Sequence, residues 1–210
     1  MGDNPASALI DPQLLERLVR ERVNAILDER LEAKLEALRA SRTPSMTIIA
    51  TKGTLDWAYP PFILASTAAA LGWDVAVFFT FYGLELLRKD LSGLRVSPLG
   101  NPAMPMKMPF GPDWLRSMRW NIPNAMQAIL PGFEAFATTM MKQTIQNKGV
   151  AQVAELRSAC VEADVKLIGC QMTVDLFGYS HEDFIAEVKE YVGAATFLPM
   201  ARDADVSLFI

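Results

Sequence analysis

Residues 46–81 read MTIIATKGTLDWAYPPFILASTAAALGWDVAVFFTF, and the class of the fold turns on them. Met46–Ala50 is a compact apolar run of strand length, and Thr51-Lys52-Gly53-Thr54 has the composition of its exit loop. Asp56–Leu71 predicts a helix whose two prolines are tolerated in its first turn. Gly72-Trp73-Asp74 makes the turn, and Val75–Phe81 is a second continuous apolar strand. Strands without polar alternation, joined by a helix, belong to parallel sheets covered on both sides.

The same alternation continues downstream. Phe133–Asn147 and Val150–Ala163 predict two helices divided at Lys148-Gly149, Val165–Gly169 a third strand, and Val206–Ile210 a fourth. Ser180-x-x-Asp183 resembles a capping box and predicts a helix over His181–Tyr191. The expected fold is therefore α/β, with a mostly parallel central sheet and helices on both faces.

Upstream lies a different unit. In residues 11–40, Leu15, Leu18, Val19, Val23, Ile26, Leu27, Leu31, Leu35 and Leu38 recur at steps of three and four, with charges between them. Asp11 is a good N-cap and Pro12 a good first helical residue. An amphipathic helix must bury its stripe, either on its own domain or in a coiled coil of about four heptads between subunits. The domains expected are residues 1–45, a helical extension suited to oligomerisation, and residues 46–210, the α/β domain.

Composition narrows the function. A net charge of −4 argues against a nucleic-acid binder. A single histidine, His181, excludes a multi-histidine metal site, and His181 itself reads as a solvated residue. The two cysteines, Cys160 and Cys170, match no zinc spacing and make no disulfide framework. The start MGDNPASALIDPQ lacks a basic, apolar leader, so a reduced cytoplasmic setting is expected. Trp57–Gly83 is apolar over a membrane length, but Pro60, Pro61 and Asp74 disfavour a span: a mid-bilayer charge costs about 2.5–3.5 kcal/mol.

Residues 91–132 interrupt the pattern with seven of the thirteen prolines, Trp114, Trp120, and the cations Arg95, Lys107, Arg116 and Arg119. A segment so long and apolar is expected to pack on the domain or on a neighbouring subunit. Met104, Met106 and Met108 have thioethers that suit Cu(I), but apolar packing explains them better.

The thiols separate on spacing. Val153, Leu156, Cys160 and Ala163 share one helix face, so Cys160 reads as a small buried hydrophobe. Cys170 follows a buried strand, where parallel sheets bind ligands, and a following helix would stabilise a thiolate and lower its pKa below ~8.5. Whether Cys170 is reactive or packed stays open on pattern alone. Thr51–Thr54 lacks the glycines of a phosphate loop, although Lys52 at a strand end could face an anionic sulfur compound. Asp175, five residues beyond Cys170, suits either an orienting carboxylate or a solvated helix charge.

Taken in order, MTIIATKGTLDWAYPPFILASTAAALGWDVAVFFTFYGLELL, GNPAMPMKMP, LPGFEAFATTMMKQTI, GVAQVAELRSACVEADVKLIGCQMTVDLFG and ADVSLFI resemble the DsrE/DsrF/DsrH-like family. The likeness is to its longer branch, with an SKGT-like loop, a Met-Pro segment and a CQM-x2-D motif. The resemblance implies an oligomeric α/β protein that carries sulfane sulfur as a persulfide on Cys170, with Lys52, Gly53, Thr54 and Asp175 at the substrate. It implies an inorganic sulfane sulfur donor, a TusA-like carrier or a rhodanese as partner, a homo-oligomer, no metal or other cofactor, and no nucleic acid. The competing expectation is a non-catalytic assembly module, with membrane association disfavoured but open.

Overall fold

In a computed structural model, residues 12–96, 107–119, 129 and 131–210 are described, and the chain forms two compact units, residues 1–43 and 44–210. The first unit contains one 30-residue helix, α1 (Pro12–Ser41).

The second unit is a five-stranded sheet in the order β4-β3-β2-β1-β5, with every pairing parallel. Its strands are β1 (Ser45–Ala50), β2 (Asp74–Phe79), β3 (Lys166–Cys170), β4 (Glu190–Val192) and β5 (Val206–Phe209). All five carboxyl ends therefore emerge on one side. The helices are α2 (Leu55–Ala70), α3 (Asp113–Ser117), α4 (Phe133–Asn147), α5 (Val153–Glu162), α6 (Gln171–Phe177) and α7 (Ala194–Asp203).

Alternate strand residues feed two cores. Val75, Val77 and Phe79 face the larger one with Ile48, Phe62, Val153 and Cys160, under α2 and α5. Ala76, Phe78, Ile168 and Cys170 face the other, where Phe197 of α7 stacks on Phe78 at 4.7 Å. Period-two alternation thus sends the side chains of Leu167 and Cys170 to opposite faces.

The α/β class and the helices on both faces agree with the reading of the sequence; several boundaries do not. Pro60 and Pro61 lie in the second turn of α2, beyond the first turn expected for them. Pro61 and Phe62 are buried there, so packing outweighs the lost backbone bonds. β2 ends at Phe79, because Phe81 turns left-handed at φ 49° and opens a 3₁₀ segment, Phe81–Leu87. No helix spans residues 181–191. The capping box at Ser180 forms but closes only a 3₁₀ turn, His181–Asp183, and the chain then extends into β4, an edge strand too short to show a pattern. α7 was also unforeseen, with Pro199 inside it.

Trp57–Gly83 is divided among α2, a turn and β2, and among the described residues no helix is long and apolar enough to cross a membrane. Of the proline-rich stretch, Met104, Met106 and Trp120 lie outside the described residues. Within it, Asn147 donates to the Pro109 carbonyl at 3.1 Å, so that part does contact α4.

Candidate functional site

Cys170 closes β3 and caps α6, with φ −79° and ψ 110°. It is 3% exposed. Burial works against its thiolate, yet the hydroxyls of Thr173 and Thr80 and the amides of Thr173 and Met172 outweigh it and lower the thiol pKa from the ordinary 9.0. Thr173 is fully buried; its Oγ1 accepts the Phe81 amide at 3.2 Å and stands 3.3 Å from Thr80 Oγ1. Two strand ends and one helix start thus place their polar groups around one sulfur.

Cys160 sits in a contrasting environment. It is 0% exposed on α5, and its Sγ donates to the Phe62 carbonyl at 3.5 Å. Burial pushes its pKa up to about 11, against a smaller opposing hydrogen bond at the Ser66 backbone. A thiol so protonated at neutral pH is a poor nucleophile.

The Thr51–Thr54 loop reaches this site through the backbone. The Gly83 amide donates to Thr51 O at 3.1 Å, and Thr80 N donates to Ala50 O at 3.0 Å. A Cβ on Gly53 would fall 2.2 Å from the Tyr82 carbonyl, and one on Gly83 would fall 2.2 Å from the Ala50 carbonyl. Only glycines let the loops after β1 and β2 interlock so closely. Thr54 caps α2, and its hydroxyl is buried with no hydrogen-bond partner among the described residues.

The two charged residues of the expected set are engaged elsewhere. Lys52 holds its Nζ 3.1 Å from the centroid of the Trp57 ring. Asp175 is exposed and accepts Gln171 Nε2 at 2.8 Å. Gln171 Oε1 lies 3.1 Å from His181 Nε2, and the imidazole stacks on Tyr191 at 3.8 Å. His181 is therefore a structural contact as well as an exposed one. Gln171, His181 and Tyr191 line an open groove of about 540 Å³ beside the strand end, and Asp175 braces it through Gln171.

Thr80, Phe81 and Thr173 were missed in the sequence. Thr173 had a signal: it stands three residues after Cys170, the N-cap to N3 spacing of a capping pair. Thr80 was hidden inside an apparently longer strand. Around them an apolar surface is open to solvent, with Tyr82 stacked on Phe177 at 5.9 Å and Met172 and Leu176 more than half exposed.

The fold and this site define a parallel α/β protein with a buried thiol, ringed by hydroxyls and amides, at a strand's carboxyl end. Residues 42–209 match the DsrE/DsrF/DrsH-like family, and the chain belongs to it. The chain is similar to the sulfur carrier protein DsrE2 of Allochromatium vinosum, with 56% identity over 165 residues, 79% of this chain and 97% of that protein. It is also similar to the uncharacterized protein YrkE of Bacillus subtilis, with 28% identity over 169 residues, 80% of this chain and 98% of the relative.

Proposed function

We propose that this protein is a sulfur carrier that holds sulfane sulfur as a persulfide on Cys170. The observation that carries the reading is the polar cage at Cys170, which favours the thiolate despite burial. A thiolate attacks the sulfane sulfur of an inorganic donor such as polysulfide. The new S–S bond makes Cys170–S–S⁻, and the shortened polysulfide leaves with the electron pair. An acceptor thiolate then attacks the outer sulfur and releases the Cys170 thiolate, so no external oxidant or reductant is consumed. A TusA-like carrier or a rhodanese supplies or takes the sulfur.

In this reading Gly53 supports the site by letting the rim at residues 80–83 approach, Thr54 caps α2 at the end of the same loop, and Asp175 fixes Gln171 beside the thiol. Lys52 attracts anionic donors once it leaves Trp57. The 3% exposure of Cys170 requires a local opening before a donor reaches it. That low exposure also favours the second reading, an assembly module with a packed cysteine.

Mass spectrometry after polysulfide treatment separates the two. The carrier gains mass in steps of ~32 Da, one sulfur each. Cys170→Ser abolishes the gain and Cys160→Ser keeps it. Equal loading of both variants removes Cys170 from the role, and no loading of the wild type leaves the assembly reading.

A further inference from the structure

Two non-glycine residues among those described have a positive φ. Asp164, at φ 57°, lies just past the end of α5; its amide donates to Val161 O at 3.1 Å, and a short polar side chain tolerates the left-handed turn. Phe81, at φ 49°, ends no helix: it opens the 3₁₀ segment, and a bulky aromatic residue is strained in that conformation. Such strain persists only where the surroundings hold it, and it gathers at sites that change state.

What holds it is the Thr80–Phe81 peptide. Its N–H donates to Thr173 Oγ1 at 3.2 Å, and its carbonyl accepts the Gly83 amide at 3.0 Å. The chain on either side is fixed. Phe79 is fully buried, and the Thr80 amide donates to Ala50 O at 3.0 Å. Tyr82 O is pressed on Gly53, Gly83 is pressed on the Ala50 carbonyl, and Leu84, Leu86 and Leu87 are fully buried. The movement left to this link is a turn of the Thr80–Phe81 peptide itself, with ψ of Thr80 and φ of Phe81 changing together. Such a turn exchanges the places of its N–H and carbonyl, takes Phe81 to negative φ and relieves the strain. The Gly83 amide loses Thr80 O but still donates to Thr51 O at 3.1 Å.

The two positions differ in what they offer the thiol. With the N–H inward, Thr173 Oγ1 has a donor, and its own proton is left for Cys170 or Thr80. With the carbonyl inward, Thr80 O competes for that proton, and the sulfur loses a donor. A thiolate favours the first position, because a hydrogen bond to a charged acceptor is stronger than one to a carbonyl. Beside a neutral sulfur that advantage is gone, and the left-handed strain decides. The sulfur's neighbours from β3, β4 and α7 are the apolar Ile168, Val192 and Phe197, and the flanking Asp175 and His181 are engaged with Gln171. The peptide therefore answers to the charge on the sulfur itself.

We propose that the Thr80–Phe81 peptide is a two-position switch set by the charge of Cys170: N–H inward beside the thiolate, carbonyl inward beside a neutral sulfur. The switch rests on the carrier reading in its choice of Cys170, and persulfide formation would operate it by moving the negative charge from the inner sulfur to the outer one. Its tests read ionisation rather than sulfur loading, so either reading can fail alone.

Native-state hydrogen exchange is compared between ¹⁵N-labelled wild type and Cys170→Ser, which is neutral and of similar size, above the midpoint of the Cys170 alkylation profile. The Phe81 amide is expected to exchange roughly tenfold faster in Cys170→Ser, the scale of one hydrogen bond to a charged group, while the Gly83 amide stays protected. Equal protection of Phe81 in the two proteins overturns the coupling. Parallel loss at Gly83 means that the whole segment loosens, and overturns the single-peptide switch. Phe81→Ala and Phe81→Gly then separate strain from the ring, since both lose the ring but only alanine keeps the left-handed strain. The midpoint of Cys170 alkylation is expected to lie lower in Phe81→Gly than in Phe81→Ala, by roughly half a pH unit or more. Equal midpoints, with Cys160 protected in both, overturn strain as the driving force.

Discussion

Cys160 and Cys170 are ten residues apart in sequence and face opposite cores of one sheet. Both are buried, yet their thiols shift in opposite directions. Around Cys160 are α2 and α5; its Sγ donates to the Phe62 carbonyl, which engages the protonated thiol, and the hydrogen bond at the Ser66 backbone is too weak to offset burial. Around Cys170 are hydroxyls and amides, which can donate to a thiolate. The difference teaches that burial alone does not make a cysteine inert. The sign of the shift depends on whether nearby groups offer protons or lone pairs, and a strand end meeting a helix start is where free donors collect.

The sharpest way to break this comparison is alkylation near neutral pH, read by peptide mass spectrometry on the native protein. One thiol has a pKa of about 11 and the other lies below 9.0. Ionisation alone then favours Cys170 by more than roughly a hundredfold. Similar rates for both peptides would dissolve the distinction.

Alkaline stability tests the other half. The folded state raises the Cys160 pKa above its unfolded value, so folding opposes loss of that proton. Stability is unaffected below the unfolded value and falls as pH rises from about 9 to about 11. The loss approaches roughly 1.4 kcal/mol per pH unit across that window. Urea unfolding of the wild type and Cys160→Ala at pH 8 and about 10.5 isolates the effect from that of the tyrosines. A constant difference between the two proteins at both pH values would show that the buried thiol does not titrate as stated.

How far the sequence revealed all this depends on the element. β1, β5 and α4 were legible because their apolar runs are bounded by glycine, proline or polar turns. Cys160 was legible from helical spacing, and Cys170 because an apolar run stops at Gly169-Cys170. The end of β2 was not, since the left-handed residue there is a phenylalanine and no glycine marks the bend. His181–Tyr191 misled because a capping box specifies a turn without specifying the element beyond it. The partners of Lys52 and Asp175 are side-chain choices, Trp57 and Gln171, with no local signature to predict them.

The comparison can be sharpened at Gly83. Its substitution by alanine forces a methyl group to 2.2 Å from the Ala50 carbonyl oxygen and 2.8 Å from its carbon, both main-chain atoms. Overpacking of this kind costs about 1–3 kcal/mol. Because Thr80 and Phe81 belong to the same loop, Gly83→Ala should alter Cys170 alkylation while leaving Cys160 protected. Urea midpoints and the two peptide rates measure this together. A variant as stable as the wild type would show that the loops are not locked.

The smallest expected effect is also the most specific to the chemistry. Thr173 Oγ1 already accepts the Phe81 amide, so its own proton is available to the sulfur or to Thr80. When Cys170 ionises, that proton gains a charged acceptor, and such bonds are worth more than neutral ones. Thr173→Val keeps the branched shape and removes the hydroxyl. The Cys170 pKa then rises, and alkylation near neutral pH slows roughly tenfold, the scale of one hydrogen bond to a charged group. Thr173→Ser, which restores the hydroxyl, recovers most of the rate. The readout is the pH profile: its midpoint moves up in Thr173→Val and returns in Thr173→Ser, while the plateau above it is unchanged. A lower plateau with an unmoved midpoint would mean that Thr173 governs access to the thiol rather than its charge.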